Sequence, residues 1–135
     1  MHIHVATNSH QKQLTMGASK ASLFTDQHNK IAIYMKALAH PARVAICDHL
    51  LHAPGATAVE LQEVIPLSYP SIIQHLKVLR KSHLIDGFLK SGAVAYQLNA
   101  SCFSNIHQFC EHFLSLLPPQ NEDAILPADR GPVQS

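Results

Sequence analysis

The sequence lacks the features that would place the protein outside the cell or in a membrane. It has three cysteines, and so small and odd a number argues against a disulfide framework. No apolar run approaches the roughly 18 residues of a membrane-spanning helix, so we expect no membrane partner. The first residues show no basic cluster followed by an apolar stretch, so we expect no signal peptide and a cytoplasmic location.

The signatures of catalysis are missing as well. There is no glycine-rich phosphate loop, no Gly-x-Ser-x-Gly and no pair of acids in a pocket-like motif. We therefore predict that the protein is not an enzyme and requires no cofactor, with zinc or another metal as a possible ligand. The 135 residues, of which 47% are hydrophobic, suffice for one domain with a core.

The composition divides the chain into three parts. Residues 1–20 are polar and rich in His, Ser, Gln and Thr, which predicts a flexible segment. Residues 21–117 contain the periodic apolar patterns of a folded domain. A proline pair opens residues 118–135, and we expect a disordered tail there.

The stretch from residue 68 to 82 is the most informative. Ser68 is a suitable helix N-cap, and Pro70 lies in the first turn, where a missing N–H costs nothing. Apolar residues recur at helical spacing, while polar residues crowd the start of the helix, off that stripe. The polar residues are Ser71, Gln74, His75 and Lys77. Such side chains could reach bases and phosphates in a major groove; an ordinary core helix is the alternative.

The flanking residues favour the first interpretation. Residues 57–60 match a capping box and open a short apolar segment that Pro66 stops, so a first helix and a turn of about three residues precede the second helix. Two short strand patterns, 84–89 and 93–98, surround the turn residues 90–92. The sequence predicts a mainly α fold with a small two-stranded β-wing, a winged helix-turn-helix.

The charge distribution supports a nucleic-acid partner more than the net charge of +1 does. From residue 70 to 92 four cations face one acid, a local charge of +3, whereas the tail carries −2. Such a patch is what phosphate binding requires, although a solvated helix face would look similar. The predicted DNA-binding residues are Ser68, Tyr69, Ser71, Gln74, His75, Lys77, Arg80, Lys81 and Lys90.

Several motifs, in this order, resemble the ArsR/SmtB family of winged-helix repressors. They are KALAHPARVAI from residue 36, VELQ from residue 59, LSYPSIIQHLKVL from residue 67, Leu84-Ile85, and residues 92–98. The resemblance covers roughly residues 25–115. It implies a homodimer through the first and last helices, with two recognition helices in successive major grooves of an imperfect palindrome. It also implies that binding blocks transcription and that an inducer, often a metal ion, releases the DNA.

The family's sensor sites match less well. The Cys-x-Cys of its soft-metal sensors corresponds to Thr57 and Val59, which supply no thiolate. On the last helix, His107 and Cys110 lie one turn apart and could bind zinc, with Cys102 nearby in sequence. A thiol switch among Cys47, Cys102 and Cys110 is a second hypothesis. Core or interface packing of these cysteines is the alternative to both.

We therefore predict a DNA-binding transcriptional regulator, a probable repressor that binds operator DNA as a homodimer. The alternative is a winged-helix module that binds protein and has no sequence-specific DNA binding. The wing discriminates between them, because it carries only one cation, Lys90, whereas wings of the family often carry several.

Overall fold

The computed structural model describes residues 22–119, which form five helices and three strands. The helices are α1 (Asp26–Leu38), α2 (Pro41–His52), α3 (Ala58–Val64), α4 (Tyr69–Lys81) and α5 (Ala100–Leu116); the strands are β1 (Ala56–Thr57), β2 (Ile85–Lys90) and β3 (Ala93–Leu98). The segment 1–20 and all but the first two residues of the tail 118–135 lie outside the described residues. None of the described helices is long and apolar enough to cross a membrane.

Side-chain caps fix where the five helices start. At α3 the predicted capping box is confirmed, since Thr57 Oγ1 accepts from the Glu60 N–H and Glu60 Oε1 accepts from the Thr57 N–H. A proline follows the cap of α2 and of α4, where its fixed φ suits the first turn. The capping residues are Thr25, His40, Thr57, Ser68 and Asn99. Helices α3 and α4 consequently begin directly after the capping residues that the sequence predicts for them.

The predicted two-stranded wing is present and belongs to a slightly larger sheet. β2 and β3 pair antiparallel, and Ser91 and Gly92 turn between them with φ of 51° and 81°, the positive values of a type I′ hairpin turn. β1, which was not predicted, pairs with the other edge of β3. At two residues, β1 is too short to show an alternating pattern. It ties the connection between α2 and α3 to the base of the wing.

Helix α4 is anchored by the apolar stripe read from the sequence. Ile72, Leu76 and Leu79 are buried, with at most 1% exposed, and they pack into one core cluster. The core's largest fully buried side chains are Ile46, Leu50, Leu61, Ile72, Leu76, Leu79, Leu84 and Ile85. The core-helix interpretation of residues 68–82 is therefore correct for one face of α4 and leaves the opposite face free.

The apolar stripe of α5 divides into two halves. Phe103, Ile106 and Phe109 are half-buried and pack against the core of the same chain. Beyond them, Phe113 and Leu117 are exposed, although Phe113 lies against the Phe109 ring at 4.7 Å. The first half of the helix thus completes the monomer core, and the second half does not.

A hydrogen bond from Cys102 joins α5 to the end of α4. His83, with φ of 68°, ends α4 in the left-handed region, and its carbonyl accepts from the Cys102 thiol at 3.1 Å. Burial, and then the neighbouring Cys102, raises the pKa of the Tyr34 phenol of α1, while Asn105 acts in the opposite direction. Cys102 therefore lies beside α1 and is bonded to the end of α4.

Candidate nucleic-acid interface

The start of α4 is held by Ser68 and Ser71. Ser68 Oγ accepts from the Ser71 N–H at 3.4 Å and donates to Ser71 Oγ at 3.1 Å. Pro70 occupies the first turn. Tyr69 is 43% exposed, which is high for so large a side chain. The result is a rigid first turn that presents hydroxyl groups to solvent.

Of the predicted contact residues, Gln74, Lys77 and Lys81 lie on the side of α4 opposite its buried stripe, and Ser71, His75 and Arg80 lie on the flanks of that stripe. Gln74 and Lys77 are exposed, and Ser71 and His75 are half-buried. Arg80 and Lys81 are exposed in the last turn of the helix. The core thus fixes α4 in place, and the predicted base-reading and phosphate-binding side chains of this helix lie on its remaining surface.

His75 belongs to a cluster that the sequence did not reveal. Its Nδ1 lies 3.3 Å from Nη1 of Arg43 on α2, and its ring centroid is 4.4 Å from that of His40. The Nε of Arg43 donates to the Ala37 carbonyl of α1. Burial, and then the charges of His40 and Arg43, lower the pKa of His75. Both effects favour the neutral form of the half-buried imidazole.

Arg80 lies between α4 and the wing. Its guanidinium is so close to Gly87 of β2 that a side-chain carbon at Gly87 would be 3.0 Å from Cζ of Arg80. On the neighbouring strand β3, burial raises the pKa of the Tyr96 phenol. The nearby positive charge of Arg80 lowers that pKa. The missing side chain at Gly87 therefore decides where the Arg80 cation can sit.

Lys90, the cation of the wing, reaches back across the sheet. Its Nζ would be 3.4 Å from a side-chain carbon at Gly55. Hydrogen bonds from Thr57 chiefly lower the pKa of Glu60, and Lys90 adds a smaller electrostatic contribution in the same direction. The end of the wing is instead apolar, with Leu89 80% exposed.

The structure separates the predicted sensor residues. His107 and Cys110 are exposed one turn apart, and His107 Nε2 lies 3.9 Å from Glu111. Cys102 is buried, and eight residues of helix, about 12 Å, separate it from Cys110. Among the residues that the structure describes, no three His, Cys, Asp or Glu side chains are grouped to hold a metal ion. Within one chain, Cys102 therefore does not form a single site with His107 and Cys110.

Cys47 is a core side chain. It is 7% exposed within the cluster that includes Ile46 and Leu50, and burial raises the pKa of its thiol to about 11. Such a thiol stays protonated at neutral pH and is a poor nucleophile. All three cysteines are free.

Arg43 and His40 are the site residues that the sequence analysis missed as partners of α4. They lie 32 and 35 positions before His75, and only the packing of α2 against α4 brings them together. Both residues lie in the KALAHPARVAI motif, but nothing in that motif indicates a contact with α4.

Comparison with known proteins agrees with this geometry. A helix-turn-helix domain model matches residues 38–87. The chain is 30% identical over 89 residues to the biofilm growth-associated repressor of Agrobacterium fabrum. The aligned region covers 65% of this chain and 74% of that protein. It is 30% identical over 80 residues to the transcriptional repressor SdpR of Bacillus subtilis, covering 59% of this chain and 88% of that one.

The fold is also similar to that of a solved structure. An ArsR-like transcriptional regulator from Rhodococcus sp. RHA1 superposes with a TM-score of 0.61 at 19% identity, over 67% of this chain and 85% of that chain. The chain belongs to the ArsR family of winged helix-turn-helix transcriptional regulators.

Proposed function

We propose that this DNA-binding regulator represses transcription by binding an imperfect palindrome as a homodimer, with α4 of each protomer in a major groove. One observation carries the proposal: α4 is held by a fully buried stripe while Gln74 and Lys77 stand exposed beside Ser71 and His75. A helix presented in this way can combine base contacts, which specify a sequence, with phosphate contacts, which position the protein.

Base reading is assigned to Ser71, Gln74 and His75. Gln74→Ala should lower the affinity for DNA selected from a pool of randomised duplexes, because one amide–adenine pair contributes roughly 1–3 kcal/mol of discrimination. Binding to random DNA should barely change. Gln62→Ala is the matched control, since Gln62 is an exposed helical glutamine on α3, outside the proposed dimer interface. Equal losses of affinity for selected and for random DNA would show that Gln74 does not read bases.

Phosphate contacts are assigned to Lys77, Arg80, Lys81 and Lys90, with Ser68 and Tyr69 at the start of α4. The first three of these cations lie along one helix and the fourth on the adjacent wing. Each cation that contacts a phosphate contributes about 0.9 to the log–log dependence of affinity on salt. Substituting them singly should lower affinity for every DNA sequence alike.

The homodimer is supported by the second half of α5. Phe113, Leu114, Leu116 and Leu117 are each more than half exposed, and exposed apolar groups of this size mark interaction surfaces. α1, which packs on α5, adds Phe24 at its start, 58% exposed. A second copy that buried both surfaces would hold two α4 helices at a fixed separation.

The dimer is tested by sedimentation equilibrium. Phe113→Glu should raise the dimer dissociation constant, because it places a charge in the proposed interface. Leu51→Glu is the matched control: Leu51 is 65% exposed on α2, a helix that is not part of the proposed interface. A dimer that tolerates Phe113→Glu as well as Leu51→Glu would place the interface elsewhere.

A protein-binding module is the second candidate, and the wing is what favours it. Leu89 is 80% exposed and Lys90 is drawn back toward Gly55, so the end of the wing is more apolar than a phosphate contact requires. The two functions differ in one observable. A regulator enriches a sequence motif from randomised duplexes, and a protein-binding module does not.

Release of the DNA by an inducer is proposed to involve α5. His107 and Cys110 are exposed there, so ligands from a second protomer could complete a metal site with them. Cys102 links α5 to the end of α4 through the His83 carbonyl. An effector that shifts α5 would thereby have a route to α4, and it acts only through unequal affinity for the two states.

A further inference from the structure

The hydrogen-bonding state of His75 follows from its neighbour. Arg43 Nη1 lies 3.3 Å from His75 Nδ1, and a guanidinium has donors only. Nδ1 must therefore be the accepting nitrogen, which leaves the proton of the neutral ring on Nε2. Arg43 is itself held, because its Nε donates to the Ala37 carbonyl.

His40 reinforces this arrangement from the other side. Its Nδ1 accepts from the Ala42 N–H at 3.0 Å, and its ring stacks obliquely on His75 at 4.4 Å. His40 and Arg43 are the titratable and charged groups that act on His75, and both disfavour a second proton on it. The half-buried imidazole is thus neutral and has one tautomer.

We propose that Arg43 is a positioning residue that determines DNA specificity, by holding His75 as the Nε2–H tautomer that donates to one acceptor on a base edge. The inference rests on the proposed function, since it needs α4 in the major groove. The acceptors available there are purine N7, guanine O6 and thymine O4. A histidine free to change tautomer or charge would bind donors, acceptors and phosphates alike, and would discriminate less.

The tautomer can be measured without DNA. Long-range ¹H–¹⁵N spectra of the full chain report which imidazole nitrogen carries the proton, with His75 assigned by its loss in His75→Gln. The expected result is a neutral ring with the proton on Nε2 at a pH of about 7. A proton on Nδ1, or a charged ring at that pH, would overturn the inference.

Two substitutions at position 75 separate the two sides of the ring. His75→Gln places an N–H donor near the former Nε2, whereas His75→Asn places an acceptor near the former Nδ1 and lacks the distal donor. We expect His75→Gln to retain most of the base preference at one position of the selected sequence. His75→Asn should lose about tenfold in preference there. Equal behaviour of the two variants would contradict the proposal.

Arg43→Met completes the test, with Arg80→Met as its control. Arg43→Met should lower the ratio of selected to random affinity by about tenfold at the same base position. It should also raise the pH at which His75 titrates in the spectra. Arg80→Met should weaken both affinities and leave their ratio and that titration unchanged. If Arg43→Met folds and keeps the full base preference, the proposal is wrong. If Arg43→Met does not fold, the tautomer of His75 measured in the parent protein still supports or overturns the proposal.

The design also separates this inference from the proposed function. If the parent protein enriches no sequence from the randomised duplexes, the proposed function fails, and the base-reading role of His75 fails with it. If it enriches a sequence and the spectra show the other tautomer, only the role of Arg43 is removed.

Discussion

Substituting Gly87 by alanine should weaken DNA binding without unfolding the protein. Gly87 lies in β2, and its φ is not positive, so alanine fits the backbone without strain. The new methyl group would lie 3.0 Å from Cζ and 3.2 Å from Nε of Arg80. A flexible, exposed guanidinium moves more easily than a strand does. We therefore expect the free energy of unfolding to change by less than about 1 kcal/mol, while the Arg80 guanidinium shifts by a few tenths of an ångström.

The effect on affinity follows from the proposed phosphate contact of Arg80. If this shift breaks the contact, one lost contact in each protomer of a dimer removes about 1.8 from the log–log salt slope, which at about 0.1 M salt corresponds to a roughly 60-fold loss of affinity. Fluorescence anisotropy on one selected duplex over a salt series measures both quantities. Unfolding in urea provides the stability control.

A double variant decides whether the loss acts through Arg80. In an Arg80→Met background, Gly87→Ala should add almost nothing to the loss. The reasoning is refuted if Gly87→Ala binds within about twofold of the parent, or if its effect is undiminished when Arg80 is already gone.

Three further results are expected. Lys90→Ala should lower the salt slope, though by less than Arg80→Met does, because its Nζ lies over Gly55; an unchanged slope would show that the wing does not contact the DNA. A variant with Cys102→Ser, His107→Gln and Cys110→Ser should no longer release DNA to zinc, copper, sulfide or oxidant in the same anisotropy assay, and an unchanged response of the folded dimer would move the sensor elsewhere. The lowered pKa of His75 means that the unfolded chain binds the extra proton first, so its contribution to stability is lost as the pH falls below about 6.5 and through the folded value. Urea midpoints should accordingly fall less on acidification in His75→Gln than in the parent, and an equal fall would show that His75 is not responsible.

Much of the fold could be predicted because local chemistry and long-range packing agree. Ser68, Pro70 and the stripe of α4 define a helix from local rules, and the core accepts the same stripe. β1 could not be predicted, since a two-residue strand exists only through its pairing with β3.

The candidate site was only partly predictable for the same reason. Exposed polar residues early on α4 follow from helical periodicity, whereas the contact of His75 with Arg43 depends on how two helices cross. The approach of Lys90 to Gly55 likewise joins two residues that are distant in sequence. Spacing placed Cys102 in a group with His107 and Cys110, but the packing of α5 turns Cys102 into the core. These differences between the predicted and the observed site arise from tertiary contacts, which sequence periodicity does not encode.

The most direct test compares two duplexes that bind the same protein. The affinity of the full chain is measured at about 0.15 M salt for a duplex enriched from a randomised pool and for a scrambled duplex of equal length and composition. Reading of bases by α4 predicts a ratio of at least about 10³ in favour of the enriched duplex. Equal affinities for the two duplexes would contradict sequence-specific regulation and would favour the protein-binding module.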